Sequence, residues 1–145
     1  MTMTKRILAP IGARERSEAI MPVVAALARD SGASVRLLRV FPVPERVVGA
    51  HGRTVAYVDQ EMARLTDEGL EDLARVATAF AGVPVECVVR FGEPENEIRL
   101  EAEAFHADLI ALTTDKRGRL RTALAPTLAD RIASKTSIPA LVLHG

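Results

Sequence analysis

The segment Thr113–Thr127, TTDKRGRLRTALAPT, brings Lys116, Arg117, Arg119 and Arg121 close together. Guanidinium forks bond phosphate or carboxylate in pairs, and a hydroxyl such as that of Thr127 adds a neutral donor. The segment follows a short apolar run, DLIAL, and opens a helix-like one, LADRIAS. A strand-to-helix turn presents backbone N–H groups to an anion. The chemistry on offer is therefore anion binding. Phosphate loops, however, use glycine to bring backbone close to the ligand, and this one has only Gly118. A basic run is equally what a solvated loop looks like.

Other reactive side chains do not assemble. His51, His106 and His144 are scattered, with no pair at metal-ligand spacing. His51 lies on the long 41–53 loop, and His106 falls at a helix end, where a cation is favoured. Cys87 alternates with Val85 and Val89 in VPVECVVR, which puts it on the buried face of a strand as an inert core thiol. Ser17 reads as a helix N-cap, and Tyr57 as the packed or half-exposed start of a long helix. No nucleophile, base and orienting group fall together, so no catalytic residues and no metal site are expected.

The elements that must position the basic loop alternate from end to end. RILAPI is a strand closed by Gly12. A helix with Ile20, Val23, Val24 and Leu27 on one stripe begins no earlier than about Ser17, because Pro22 is tolerated only in a first turn, and it stops at Gly32. SVRLLRV is the second strand. In the long helix that follows the 41–53 loop, Val58, Met62, Leu65, Gly69, Leu73, Val76 and Phe80 draw one apolar face, and Gly82 ends it. PVECVV is the third strand, its leading Pro84 marking an edge. GEPENEIRLEAEAFHA is a helix with Pro94 first and acids in its first turn; Ile98, Ala102 and Phe105 form its inner face. DLIAL is a strand buried on both faces. Leu124, Leu128 and Ile132 mark a last helix, and PALVL a fifth strand. Strands separated by helices give βαβ units, a mostly parallel sheet and helices on both faces. Ligands of such sheets sit beyond the carboxyl ends of the strands, where the strand order reverses.

The 145 residues suit one domain, 1–145. Lys and Arg balance Asp and Glu at 19 each, and Trp is absent; together these argue against a nucleic-acid surface. The longest apolar stretch, AIMPVVAALA, is far short of a membrane span. No signal peptide is visible, and the single cysteine excludes an internal disulfide. A cytoplasmic protein without membrane contact is expected.

With these elements in order, the chain resembles the universal stress protein family over nearly its whole length. KRILAPI is similar to the family's opening strand, GEPENEIRLEAEAFHADLIALTT to its G-[DE]-P…I…A…DLI block, and LADRIASKTSIPALVLHG to its last helix and strand. The resemblance implies a doubly wound, five-stranded parallel sheet of order 3-2-1-4-5, a stress-linked cytoplasmic role and a homodimer. Nucleotide-binding members carry G-x2-G-x9-G-[ST] after the fourth strand. On this sequence the three glycines fall at Thr113, Lys116 and Pro126, and only the hydroxyl, Thr127, is kept. The aspartate that ends strand 1 in binding members is Gly12 here. Thr113 adds a β-branch where the loop is narrow, and Pro126 removes an N–H at a helix start. Gly118 matches a glycine outside the three-point signature.

The expectation is thus a non-catalytic stress-response protein with a degenerate nucleotide loop and no required cofactor. It would act through dimerisation and an unidentified protein partner. The alternative is a module that binds ATP, AMP or another anionic small molecule through Lys116, Arg117, Arg119 and Arg121 with Thr127. The dimer is expected on the uncharged last strand, Ala140, Leu141, Val142 and Leu143, because an apolar sheet edge invites another strand.

Overall fold

The computed structural model describes residues 5–12, 21–44, 54–114 and 128–144. Five strands form one sheet: β1 (Arg6–Pro10), β2 (Ser34–Phe41), β3 (Val85–Phe91), β4 (Leu109–Thr114) and β5 (Ala140–His144). Every pairing is parallel and the order is β3-β2-β1-β4-β5. The strand that opens the chain is therefore central, and β3 and β5 are the edges. Between the strands run α1 (Met21–Ser31), α2 (Thr54–Ala77, continued by a 3-10 turn over Thr78–Phe80), α3 (Pro94–Phe105) and α4 (Leu128–Lys135).

Alternation along β1 sends its side chains to two cores. Ile7 and Ala9 join Met21, Val24, Leu37, Leu73 and Phe80 under α1 and α2. Leu8 joins Leu38, Ile98, Phe105, Ile110 and Ile132 under α3 and α4. On α2 the expected face is buried at Gly69, Leu73, Val76 and Phe80 and half-buried at Val58, Met62 and Leu65, and on α3 Ile98, Ala102 and Phe105 are buried; on α1 the expected stripe is corrected, since Val23 is exposed and Met21, Val24, Ala25 and Ala28 face the core. Leu124, Ser17 and His51 lie outside the described residues.

The helix stops have visible causes. Gly32 and Gly82 follow their helices at φ 69° and 81°, a conformation that costs a residue with a Cβ. His106 ends α3 in the same region, at φ 55°, and its backbone N–H bonds to the Ala102 and Glu103 carbonyls. The cap is thus made by the peptide group of His106 rather than by a cationic ring. Pro94 occupies the start of α3, where a missing N–H is harmless.

Asp108 fixes β4 against β1. Its carboxylate accepts from the Lys5 and Arg6 amides at 2.9 and 3.0 Å, and its own N–H donates to the Arg6 carbonyl at 2.8 Å. On the other side of the sheet centre, Phe41 and Phe91 stack at 5.8 Å beside α2. Helix α2 comes this close because residue 69 is glycine: a Cβ there would stand 2.9 Å from both the Phe41 ring and Val89. Gly69→Val is expected to cost about 1–3 kcal/mol through overpacking, measured as a shift of the urea midpoint. Leu70→Val, at a neighbouring exposed position, should stay within about 0.5 kcal/mol.

Candidate functional site

The β1–β2 ladder runs the full length of β1, and the Ile11 amide extends it by donating to the Leu38 carbonyl at 2.7 Å. The β1–β4 ladder pairs only Ile7 with Leu109 and Leu8 with Ile110. Beyond that point β4 stays paired with β5 as far as Thr114. The sheet therefore parts between β1 and β4, at the place where the strand order reverses. A crevice of about 210 Å³ opens there. The strand ends contribute Pro10, Ile11, Gly12, Leu38, Val40 and Leu112; α3 contributes Pro94 and Ile98, and α4 contributes Leu128.

This lining carries no charged or hydroxyl side chain among the described residues. Its polarity comes from backbone. In a parallel ladder a residue's N–H and C=O point to the same side, and successive residues alternate. Leu38 bonds toward β1, whereas Val35 and Phe41 bond toward β3. Val40 therefore also directs its N–H and C=O toward the β1 side, past the end of that strand. The N–H and C=O of Val40 thus lie side by side in an otherwise apolar wall. Pockets for whole small molecules run to roughly 300–1,000 Å³. This one takes a ring or a short aliphatic group, with the rest of any ligand outside the mouth.

Of the residues singled out in the sequence, Gly12 is exposed and lines the crevice. Thr113 lies in β4, paired with Leu143 and directly after the lining residue Leu112. Lys116, Arg117, Gly118, Arg119, Pro126 and Thr127 lie outside the described residues. Their segment leaves from the carboxyl end of β4 and rejoins the described chain at Leu128, in the crevice wall. Ala140–Leu143 lie in β5, an edge strand, and their side chains are half-buried within the single chain. Ala140 and Val142 pack into the core under α3 and α4, and Leu143 into the opposite one. Cys87 is half-buried rather than fully buried, packs against the core under α1 and α2, and burial pushes its thiol above its ordinary value. Among the described residues no cluster of His, Cys, Asp or Glu could hold a metal ion, and no helix is long and apolar enough to cross a membrane.

The acids of α3 do more than complement the helix dipole. Glu101, 4% exposed, accepts from Arg36 at 2.7 Å and from Arg90 at 3.0 Å. Arg90 also bonds Glu97, and the Arg36 guanidinium lies 4.3 Å over the Phe105 ring. Glu95, 8% exposed, meets Lys135 Nζ and, at 3.2 Å, Arg131 Nε, both on α4. The close contact with the Lys135 ammonium, reinforced by the charges of Arg131 and Arg99, holds the Glu95 carboxyl below its ordinary value against the opposing effect of burial. Periodicity placed these acids on α3 but could not reveal their partners, which arrive from β2, β3 and α4. The crevice residues Leu38, Val40 and Leu112 carried one sequence signal: they close apolar strands.

An open, doubly wound α/β sheet with a crevice at its switch point defines a class of ligand-binding folds. The profile of the universal stress protein family matches residues 3–144, and the chain belongs to that family. Among solved structures it is similar to the hypothetical protein MJ0577, at 23% identity and TM-score 0.79 over 99% of this chain and 98% of that one. It is also similar to a universal stress protein in complex with cAMP, at 14% identity and TM-score 0.68 over 99% and 98% of the two chains. A third is the universal stress protein from Archaeoglobus fulgidus in complex with dAMP, at 18% identity and TM-score 0.63 over 97% and 98%. None of the curated proteins matches the sequence.

A carboxylate whose folded pKa is lowered stabilises the fold above its unfolded value, 4.5 here, and the stabilisation fades as pH falls through the lowered one. Thermal melts from about pH 6 to about pH 3 should therefore decline less steeply in Glu95→Gln than in the parent.

Proposed function

We propose that this protein is a non-catalytic, cytoplasmic stress-response protein that acts through dimerisation and partner binding, and that ATP and AMP bind it weakly or not at all. The observation that carries this reading is Gly12. It sits in the crevice lining and has no side chain to meet a sugar hydroxyl, at the position where binding relatives are expected to hold an aspartate. Thr113, Lys116 and Pro126 stand where the phosphate loop of such relatives has glycine. The apolar wall and the Val40 backbone edge suit a flat heterocycle, so the base half of a nucleotide fits. Among the described residues nothing at the crevice suits the phosphates.

One observation favours a second reading. Two structural neighbours hold cAMP and dAMP. If this chain takes an anionic small molecule, Lys116, Arg117, Arg119 and the Thr127 hydroxyl are the groups that would supply the missing charge and donors. Calorimetry with ATP and magnesium separates the two. The expected affinity is weaker than about 100 µM, or about −5.5 kcal/mol; a micromolar constant would favour the basic loop instead. Replacing Thr113, Lys116 and Pro126 by glycine together with Gly12→Asp is expected to raise affinity at least tenfold, about 1.4 kcal/mol.

The proposed dimer pairs β5 antiparallel with its own copy. One feature supports this edge over the other. β3 carries the charged Glu86 and Arg90 in its ladder with β2, whereas Ala140–Leu143 bear no charge. The register also assigns each amide of β5 a direction. Pro139 accepts from the Ile110 amide, so residues 139, 141 and 143 face β4 and residues 140 and 142 face outward. Val142→Pro is expected to give a folded monomer in sedimentation at micromolar concentration. Leu141→Pro is expected instead to lower the melting temperature by removing a bond to β4. A Val142→Pro protein that stays dimeric would move the interface elsewhere.

A further inference from the structure

Three of the crevice walls lie within one helical turn of the Glu95 ion pairs. Pro94 and Ile98 flank Glu95 on α3, and Leu128 lies one turn before Arg131 on α4. Glu95 is buried, while the side chains that reach it, Arg131 and Lys135, are 48% and 58% exposed. Two exposed cations thus converge on one carboxylate that has little water of its own. Removing them leaves a desolvated charge, which is costly. The cheapest relief is for α4 to swing out and let water in. Apart from Ile132, which is buried in the core, the described residues of α4 are half-buried or exposed.

We propose that Glu95 is the positioning residue of the crevice: its pairs with Lys135 and Arg131 hold α4 against α3 and so set how far Leu128 stands from Pro94 and Ile98. The inference does not depend on what the crevice binds. It assigns α3 two separate charge systems. Glu101 faces Arg36 and Arg90 and fixes the helix to β2 and β3. Glu95 faces α4 and fixes the wall of the crevice. Arg99, on α3 itself, adds its charge to the field at Glu95 but comes from the same helix and cannot join the two.

The comparison of Glu95 with Glu101 provides the test. Both are buried acids on one helix, so a general loss of stability would look alike in both. Hydrogen exchange read by mass spectrometry on the full chain separates them. Glu95→Gln is expected to speed exchange of the amides of 128–135 roughly tenfold, between the limits for exposed and buried pairs. Amides of β1, β2 and β3 should stay within about twofold. Glu101→Gln should leave 128–135 within the same margin relative to the rest of the chain. Lys135→Gln, which alters an exposed side chain and keeps the fold, should speed 128–135 by about two- to tenfold. The charge swap Glu95→Lys with Lys135→Glu should restore much of the protection lost in Glu95→Lys alone. Unchanged exchange of 128–135 in both Glu95→Gln and Lys135→Gln would overturn the proposal. So would acceleration spread evenly over the strands, or an equal effect of Glu101→Gln on α4.

Discussion

The whole arrangement depends on the backbone pairing of β1. A central parallel strand must satisfy neighbours on both sides, and here the two sides are not equal. β2 accompanies β1 along its full length and one residue beyond, while β4 pairs with it only at Ile7 and Leu8. Right-handed crossovers place the helices after β1 and β2 on one face, and those after β3 and β4 on the other. At the strand where that winding changes, no crossover covers the gap. The crevice is therefore a product of topology, and its apolar lining follows because it is the upper end of the same strands whose lower ends build the cores.

That origin explains what was legible in the sequence. Strand and helix types could be read because burial imposes a period of two on RILAPI and a period near 3.6 on the Val58–Phe80 stripe. The stops at Gly32 and Gly82 could be read because their backbones need positive φ. Pro84 pointed to an edge strand, and β3 is one. The order of strands was not legible from pattern alone; it came from the resemblance carried by the GEP…ADLIAL block. The polar groups of the crevice were invisible for a different reason. They are peptide groups, those of Val40 among them, and no side-chain code reports which way a carbonyl points.

The ion pairs show a second limit. Glu95 and Glu97 looked like acids placed for a helix dipole, which is one of their roles, while Glu101 lies beyond the first turn. Two of the three are buried because partners come from elements far away in sequence: Arg36 is 65 positions from Glu101. A helix that must sit on a sheet and also abut another helix uses charge on the two flanks of its apolar stripe. Burying such pairs gives little net stability but penalises wrong placements strongly. Charge in this protein thus sets position more than stability.

Asp108 carries a consequence for how the chain comes into being. It holds the backbone of residues 5 and 6 from more than a hundred positions downstream. As the chain emerges from the ribosome, β1 can find β2 early and β3 somewhat later. Its other flank stays open until β4 and Asp108 have been made. For that interval the centre of the finished sheet is its edge, with the backbone groups of Arg6 and Leu8 that face β4 unpaired. Contacts of such long separation slow folding and prolong the exposure of aggregation-prone edges. β1, made before its neighbours, thus waits for the fourth strand before its own pairing is complete.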